Sequence, residues 1–311
     1  LAATLATCIY GVNHTVAKAL MPDYFGPFGL ILVRVAGAAM LFWIISIFTK
    51  NERIDRKDFF RIFGAAVFGM AINMLTFFKG LSLSTPINSS VIVTISPIIV
   101  FVLSAFLIRE KITWLKASGA VVGLFGALIL VLFGKEISYN APNIPLGNIL
   151  ILVNATSYGF YLILVRPLTK KYSAITLMKY LFLVATLINL PICYTEFMQV
   201  DWQALPFDAI WRVAFVVLGT TFLTYLLNIY ALKEISASTI GVFVYVQPVI
   251  AITYAIVVGV DQLNMLKILA AILVFLGVEL IGTLLSTDMY SSFFGFYGRF
   301  NGGFVQYAAL A

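Results

Sequence analysis

The chain has 311 residues, of which 62% are hydrophobic and 11% are charged, and its formal net charge is +7. Soluble domains are about half apolar and one quarter charged, so this composition excludes a water-soluble globular protein and predicts an integral membrane protein. The basic residues cluster at the ends of apolar segments. We therefore expect contact with membrane lipid and no nucleic-acid binding.

Ten apolar segments have the length, about twenty residues, that crosses the hydrocarbon core as an α-helix. The segments do not alternate between polar and apolar residues, which excludes the strands of a closed barrel. The first five lie at about 2–20, 27–49, 59–79, 86–108 and 113–133, and the second five at about 146–166, 174–195, 209–231, 237–259 and 265–285. The predicted fold class is an all-α membrane protein with ten transmembrane helices.

The distribution of lysine and arginine predicts the orientation of these helices. With the amino terminus in the cytoplasm, twelve of the basic residues near segment ends lie on the cytoplasmic side and five on the other side. Such an excess marks the cytoplasmic side of a membrane protein. Both termini are therefore predicted to be cytoplasmic, and the expected location is the bacterial cytoplasmic (inner) membrane.

The two halves of the chain repeat one pattern. Ser96-Pro97 and Gln247-Pro248 each place a proline inside an apolar segment, and residues 97 and 248 are separated by 151 positions. Gly126 and Gly277 have the same separation. We call residues separated by 151 positions equivalent. Since each half has five spans, the second half enters the membrane from the opposite side, which predicts inverted repeats at 1–133 and 146–285 with a linker at 134–145.

Several motifs of this chain resemble the drug/metabolite transporter superfamily, in its EamA-like branch. The resemblance rests on ten spans in two halves, the Ser-Pro or Gln-Pro in each fourth span, the acidic residues Glu110 and Asp261 that follow, and the glycines of the fifth span. It implies a carrier of metabolites or amino acids. It also implies a central cavity lined mainly by the first, third, fourth, sixth, eighth and ninth helices.

Polar residues inside the spans are the candidates to line such a cavity, because a polar group in hydrocarbon must face protein or water. Asn154, Tyr158 and Tyr161 follow helical spacing and share one face, and Tyr225 with Asn228 repeats the arrangement. Phenols and amides of this kind can hold the charged groups of a zwitterion. The predicted substrate-binding residues are Asn13, His14, Asn73, Phe77, Asn88, Ser89, Ser96, Asn154, Tyr158, Tyr161, Tyr225, Asn228, Tyr245 and Gln247.

Two residues of the first half keep two interpretations each. His14, the single histidine, either makes a structural hydrogen bond or takes part in proton coupling or substrate contact. Arg34 lies deep in the second span, where it either forms an intramembrane ion pair with Glu279 or binds a substrate carboxylate.

The two prolines are predicted to kink their helices. Pro97 removes a backbone donor and frees the carbonyl of Val93, and Pro248 acts in the same way in the second half. A freed carbonyl must face a cavity or another polar group. The kinks therefore either border the transport path or are packed inside the protein.

The sequence favours a carrier over an enzyme. It contains no glycine-rich phosphate loop, no zinc-protease motif and no paired intramembrane carboxylates, so we expect no cofactor and no metal. The hypothesis is a secondary transporter that exports amino acids or related small amphipathic molecules by alternating access. The alternative is a non-transporting membrane subunit that uses the fold as a scaffold. In that case the aromatic, glycine-rich tail at 286–311 provides, through residues 287–311, a docking segment for a protein partner.

Overall fold

The computed structural model describes residues 2–18, 20–21, 24–49, 52–84, 92–109, 113–132, 143–247, 249–250, 253, 265–266, 268–277 and 280, without the side chains of residues 14, 15, 18, 116, 127 and 130–132. Within these ranges the chain is helical, with short turns and no β-strand. The predictions for Asn88, Ser89, Pro248, Glu279 and the tail lie outside the described residues, as does that for the side chain of His14.

The helices, numbered in chain order, are α1 (Ala2–Lys18), α2 (Pro27–Ile47), α3 (Arg56–Leu83), α4 (Ser96–Ile108), α5 (Trp114–Leu132), α6 (Ile144–Thr169), α7 (Ala174–Met198), α8 (Phe207–Glu234), α9 (Ala237–Val242) and α10 (Ile268–Gly277). Among the described residues, α2, α3, α6, α7 and α8 are long and apolar enough to cross a membrane. Each helix lies on a predicted span. Helices α3, α6 and α8 extend past both predicted ends, because hydropathy marks only the apolar part of a helix.

Two of the described helices contain a π-helical segment. In α3 the segment is Val67–Ile72, and in α8 it is Phe215–Leu223. Their first residues, 67 and 215, are separated by 148 positions, and each segment lies in the third helix of its half. A π segment shifts the helical register and leaves room for side-chain hydrogen bonds to the backbone, and such segments occur often at functional sites.

Helix α4 begins at Ser96, directly before Pro97, rather than bending at Pro97. Residues 94 and 95 form a turn, Ser96 opens the helix, and Pro97 occupies its first turn. Proline is accepted at this position because the first N–H groups of a helix have no helical partner. The expected kink within one continuous helix is therefore replaced, in the first half, by a break in the helix.

Helices α2 and α7 are antiparallel neighbours joined at both ends. Near the end of α7, Oε2 of Glu196 accepts hydrogen bonds from the backbone N–H groups of Phe28 (2.7 Å) and Gly29 (3.1 Å) at the start of α2. After the end of α2, Oε2 of Glu52 accepts the N–H of Ser173 (2.8 Å), which caps α7. A carboxylate stabilises the partial positive charge of a helix N-terminus. Each helix of the pair is therefore capped from the other.

Side-chain contacts also show which connections share an end of the bundle. Lys171, between α6 and α7, forms ion pairs with Asp55 and Asp58, next to the start of α3. At the opposite end, the hydroxyl of Ser84 donates to Oδ1 of Asn148 (2.6 Å), which joins the end of α3 to the start of α6. The α2–α3 and α6–α7 connections therefore lie at the same end of the bundle.

Glu52 gives the fold a contribution to stability that depends on pH. Burial raises its pKa, but hydrogen bonds from Ser173 and Thr176 outweigh burial and the net pKa is lowered. Because the folded pKa lies below the reference value of 4.5, this contribution is complete above that value and is lost as the pH falls through the folded pKa.

We expect the melting temperature of the purified protein to fall below about pH 4.5 and Glu52→Gln to flatten part of that fall. Thermal unfolding of both proteins between about pH 3 and 7 measures the melting temperature as a function of pH. The exposed Glu234→Gln is the control and should keep the wild-type profile. Parallel profiles for wild type and Glu52→Gln would contradict the assignment.

Helices α5 and α10 cross at their glycines. A Cβ atom added at Gly277 would lie 2.4 Å from the backbone nitrogen of Gly123, and one added at Gly126 would lie 2.7 Å from that of Val274. Small residues allow this close approach of two helices. Gly126 is equivalent to Gly277, and Gly123 is equivalent to Val274. The contact of Gly277 with Gly123 therefore corresponds to the contact of Gly126 with Val274, because the 151-position separation relates the two pairs.

Candidate functional site

A cavity of about 160 Å³ lies between the helices, and both halves of the chain line it. Helices α1, α2, α3, α4, α6, α8 and α9 contribute side chains, together with Val93 and the segment that continues from α9. Nine of the residues predicted from the sequence line this cavity: Asn13, Asn73, Phe77, Ser96, Asn154, Tyr158, Tyr225, Asn228 and Gln247.

Tyr161 and Tyr245, also predicted, do not line the cavity. The ring of Tyr161 is 1% exposed and fills the space beside Gly69, where an added Cβ atom would lie 2.4 Å from the ring. Tyr245 is fully buried against Gly123 in the same manner. Helical spacing identified the correct face of α6, but Tyr161 lies one turn beyond the cavity, where a glycine of α3 accommodates the ring.

The hydroxyls of Tyr161 and Tyr225 differ in their partners. That of Tyr225 donates to the carbonyl of Gly69 (3.2 Å), whereas that of Tyr161 is buried without a partner among the described residues. An unpaired buried hydroxyl is costly, and a made hydrogen bond contributes about 1 kcal/mol.

We therefore expect Tyr225→Phe to lower the free energy of unfolding by about 1 kcal/mol and Tyr161→Phe to leave it unchanged or raise it by a similar amount. Thermal unfolding of the two matched variants in detergent measures the difference. Equal destabilisation by both substitutions would show that Tyr161 has a hydrogen-bond partner.

Three side-chain donors satisfy backbone carbonyls in and next to the π segment of α3. Ser157 donates to Phe68 O (2.6 Å), Tyr225 donates to Gly69 O, and the side-chain amide of Asn154 donates to Asn73 O (2.8 Å). The amide of Asn73 donates in return to Asn154 O (3.2 Å). Buried carbonyls need partners, so these bonds hold α3 against α6 and α8 at the wall of the cavity. Asn73 and Asn154 therefore also join helices.

The lining has a twofold pattern in the sequence. Six pairs of equivalent residues, each separated by 151 positions, contribute to the cavity: Ala3 with Asn154, Thr7 with Tyr158, Met74 with Tyr225, Phe77 with Asn228, Val93 with Val244, and Ser96 with Gln247. In every pair except the valines, the second-half residue is an amide or a phenol. One cavity is thus built from corresponding positions of both halves, and both halves contribute hydrogen-bonding side chains to it.

Sequence reasoning did not select Tyr10, which lines the cavity on α1. The sequence pattern could have identified Tyr10, because residues 3, 7 and 10 repeat the spacing of residues 154, 158 and 161. Thr221 was also missed. It lies in the π segment of α8 and accepts a hydrogen bond from Nε of Arg34 (3.0 Å), and helical periodicity does not anticipate a π register.

Several amide groups that line the cavity lack a hydrogen-bond partner in the part of the chain that the structure describes. Oδ1 of Asn13 is buried and has no hydrogen bond among the described residues. Asn228 is 5% exposed, and neither it nor Gln247 has a side-chain hydrogen bond to another residue that the structure describes. These groups are available to a solute in the cavity.

In the described residues the chain is a helical bundle with membrane-crossing helices and a cavity lined by both halves, which is the architecture of an integral membrane protein. Large apolar side chains such as Phe60, Phe106 and Ile47 are 87%, 81% and 77% exposed, as expected for contact with lipid. The chain belongs to the EamA-like transporter family, whose family model matches residues 1–132 and 145–283. The resemblance drawn from the sequence motifs is thereby confirmed.

Similar proteins carry transporter names. An uncharacterized transporter of Archaeoglobus fulgidus is 26% identical, over 89% of this chain and 96% of its own length. A probable terminal-alkyne amino-acid exporter of Streptantibioticus cattleyicolor is 22% identical, over 55% of each chain. A solved crystal structure has the same fold, with a TM-score of 0.76, 16% identity and coverage of 92% of this chain and 97% of the other.

Proposed function

We propose that the protein is a secondary transporter that exports small amphipathic metabolites, amino acids above all, by alternating access. The observation that carries this proposal is the cavity described above, to which six pairs of equivalent residues contribute. In carriers built from internal repeats, the substrate site lies between the repeats, near the membrane midplane.

The proposal includes two inverted five-helix repeats, at 1–133 and 146–285, joined by the linker 134–145. It is supported by α2 and α7, which occupy corresponding places in the two halves and run antiparallel, with each capped from the other. The reciprocal contacts of Gly126 and Gly277 between α5 and α10 support it as well. Both termini would then lie in the cytoplasm, in a cytoplasmic-membrane protein whose halves rock around the cavity.

The chemistry of the cavity supports an amino-acid cargo. Amides and phenols of both halves line the cavity, and Phe77 and Phe78 add apolar surface. Such a combination suits a molecule that has a polar end and an apolar side chain. The printed name of the Streptantibioticus cattleyicolor relative, a probable amino-acid exporter, supports the same cargo class.

Counterflow in reconstituted vesicles tests this function. Vesicles are loaded with one unlabelled solute, and uptake of the same radiolabelled solute is followed for amino acids, purines and sugar phosphates in turn. Accelerated uptake of at least one amino acid, compared with vesicles that lack the protein, is the expected result. Absence of counterflow for every solute would count against a transporter and in favour of the scaffold alternative.

A further inference from the structure

One charged side chain, that of Arg34, lines the cavity among the residues that the structure describes there. Arg34 is 6% exposed, and its Nε donates to Oγ1 of Thr221 at 3.0 Å. Its Cζ lies 5.6 Å from the centre of the Phe78 ring, which is a cation–π contact. The guanidinium is therefore held on one edge by Thr221 and on one face by Phe78.

The π segment of α8 orients this arginine. The hydroxyl of Thr221 donates its single hydrogen to the carbonyl of Val216 (2.8 Å), so its oxygen accepts from Arg34. A guanidinium has five N–H groups, and the bond to Thr221 uses the one at Nε. The four N–H groups of Nη1 and Nη2 have no hydrogen-bond acceptor among the described residues. These donors are left for a solute.

The charge of Arg34 is not balanced within the described lining of the cavity. The other lining residues there are amides, phenols, hydroxyl groups and apolar side chains, and no described carboxylate forms an ion pair with Arg34. A buried charge without a partner is costly, and a carboxylate matches a guanidinium in bidentate fashion. The residue equivalent to Arg34 is Ala185, so the charge stands on one side of the cavity only and can orient a solute.

A second unpaired group in the cavity has the opposite hydrogen-bonding character. Oδ1 of Asn13 is a buried acceptor without a partner among the described residues. The cavity thus offers unpaired donors at Arg34 and an unpaired acceptor at Asn13, which complement the carboxylate and the ammonium of a zwitterion.

We propose that the terminal nitrogens of Arg34, with Thr221 as the positioning residue, bind the carboxylate of the transported solute, so that free amino acids are selected over their amides. This inference rests on the proposed transport function and specifies how that site recognises its cargo.

Binding to the purified full-length protein tests the selection. The twenty standard amino acids are screened by the rise in melting temperature that they cause, and each one that binds is compared with its amide. We expect the acid to bind at least about tenfold more tightly than the amide, and Arg34→Gln to weaken acid binding roughly 10- to 100-fold, with Arg34→Lys between them. Equal affinity for acid and amide, unchanged binding to Arg34→Gln, or no binding by any amino acid would overturn the proposal.

A matched pair of threonines tests the positioning role. Thr220 and Thr221 both donate to Val216 O, at 2.7 and 2.8 Å, but only Thr221 also accepts from Arg34. Thr221→Val should reduce the acid-to-amide affinity ratio by several-fold, and Thr220→Val should leave it unchanged. An equal effect of the two substitutions on this ratio would remove Thr221 from the site. This pair keeps the inference testable where Arg34 variants fold poorly.

The competing role of Arg34 is an ion pair with Glu279, which lies outside the described residues. If Arg34→Gln and Glu279→Gln each lowered the melting temperature and the double variant restored it, Arg34 would be structural and the inference would be overturned. The transport proposal fails separately. Selective binding of an acid that shows no counterflow would remove transport and leave the carboxylate site standing.

Discussion

Replacement of Gly277 by alanine is expected to destabilise the protein strongly, by roughly 2–3 kcal/mol, and replacement by leucine is expected to prevent folding. The added Cβ atom would lie 2.4 Å from the backbone nitrogen of Gly123 and 2.6 Å from the backbone oxygen of Gly119. Backbone atoms cannot rotate away as a flexible side chain can. Helices α5 and α10 would therefore have to separate and lose their close packing. In lipid there is no hydrophobic driving force between helices, so this packing is what holds them together.

Thermal unfolding and the yield of monodisperse protein in detergent measure this effect. Gly64→Ala is the matched control, because its Cβ atom would meet only Cδ1 of Leu164, at 3.5 Å. That substitution lies inside α3 and should be neutral or stabilise by about 0.5–1 kcal/mol. Gly126→Ala should resemble Gly277→Ala, since the two contacts are reciprocal. A neutral Gly277→Ala would mean that α5 and α10 are not in close contact in the membrane.

Asn228→Ala and Gln247→Ala are each expected to reduce the initial rate of amino-acid counterflow by about tenfold or more, without lowering the yield of folded protein. Both side chains line the cavity, and neither has a side-chain hydrogen bond to another described residue. Their removal therefore withdraws hydrogen bonds from the solute rather than from the fold. Asn154→Ala should differ, because its amide joins α6 to α3 and its loss should reduce stability as well as transport.

Counterflow rates, normalised to the amount of folded protein in the vesicles, measure the two substitutions. Gln199→Ala is the control, because this amide is exposed at the end of α7 and does not line the cavity. It should transport at the wild-type rate. Wild-type rates for both Asn228→Ala and Gln247→Ala would place the solute away from these two residues.

Much of the architecture was predictable, because a bilayer imposes simple rules on a chain. A helix that crosses lipid must be apolar and about twenty residues long, and every described helix lies on a segment predicted in this way. The separation of 151 positions that relates Pro97 to Pro248 also relates Ser96 to Gln247 and Phe77 to Asn228 in the lining of the cavity. Sequence patterns report on such properties because each depends on one segment or on a repeated position.

The differences between the sequence-based expectations and the structure have a common cause. Tyr161 shares a helix face with Asn154 and Tyr158, but Gly69 of α3 determines that its ring is packed away from the cavity. Pro97 lies in the first turn of a helix instead of bending one, and Tyr10 was not selected although it repeats the spacing of the sixth helix. In each case the helical period indicates only the direction in which a side chain points. The depth and the neighbours of that side chain depend on the helix that packs against it.

The sequence by itself determined that this protein lies in a membrane, where its helices run, and that its two halves correspond, because these properties follow from hydropathy and repetition along the chain. Only the tertiary structure decided which polar residues share one cavity and how Arg34 is used. The hydroxyl that orients Arg34 lies 187 positions away, in a π segment whose register no helical period predicts. Contacts between distant helices depend on the packing of both surfaces, and neither surface alone encodes them.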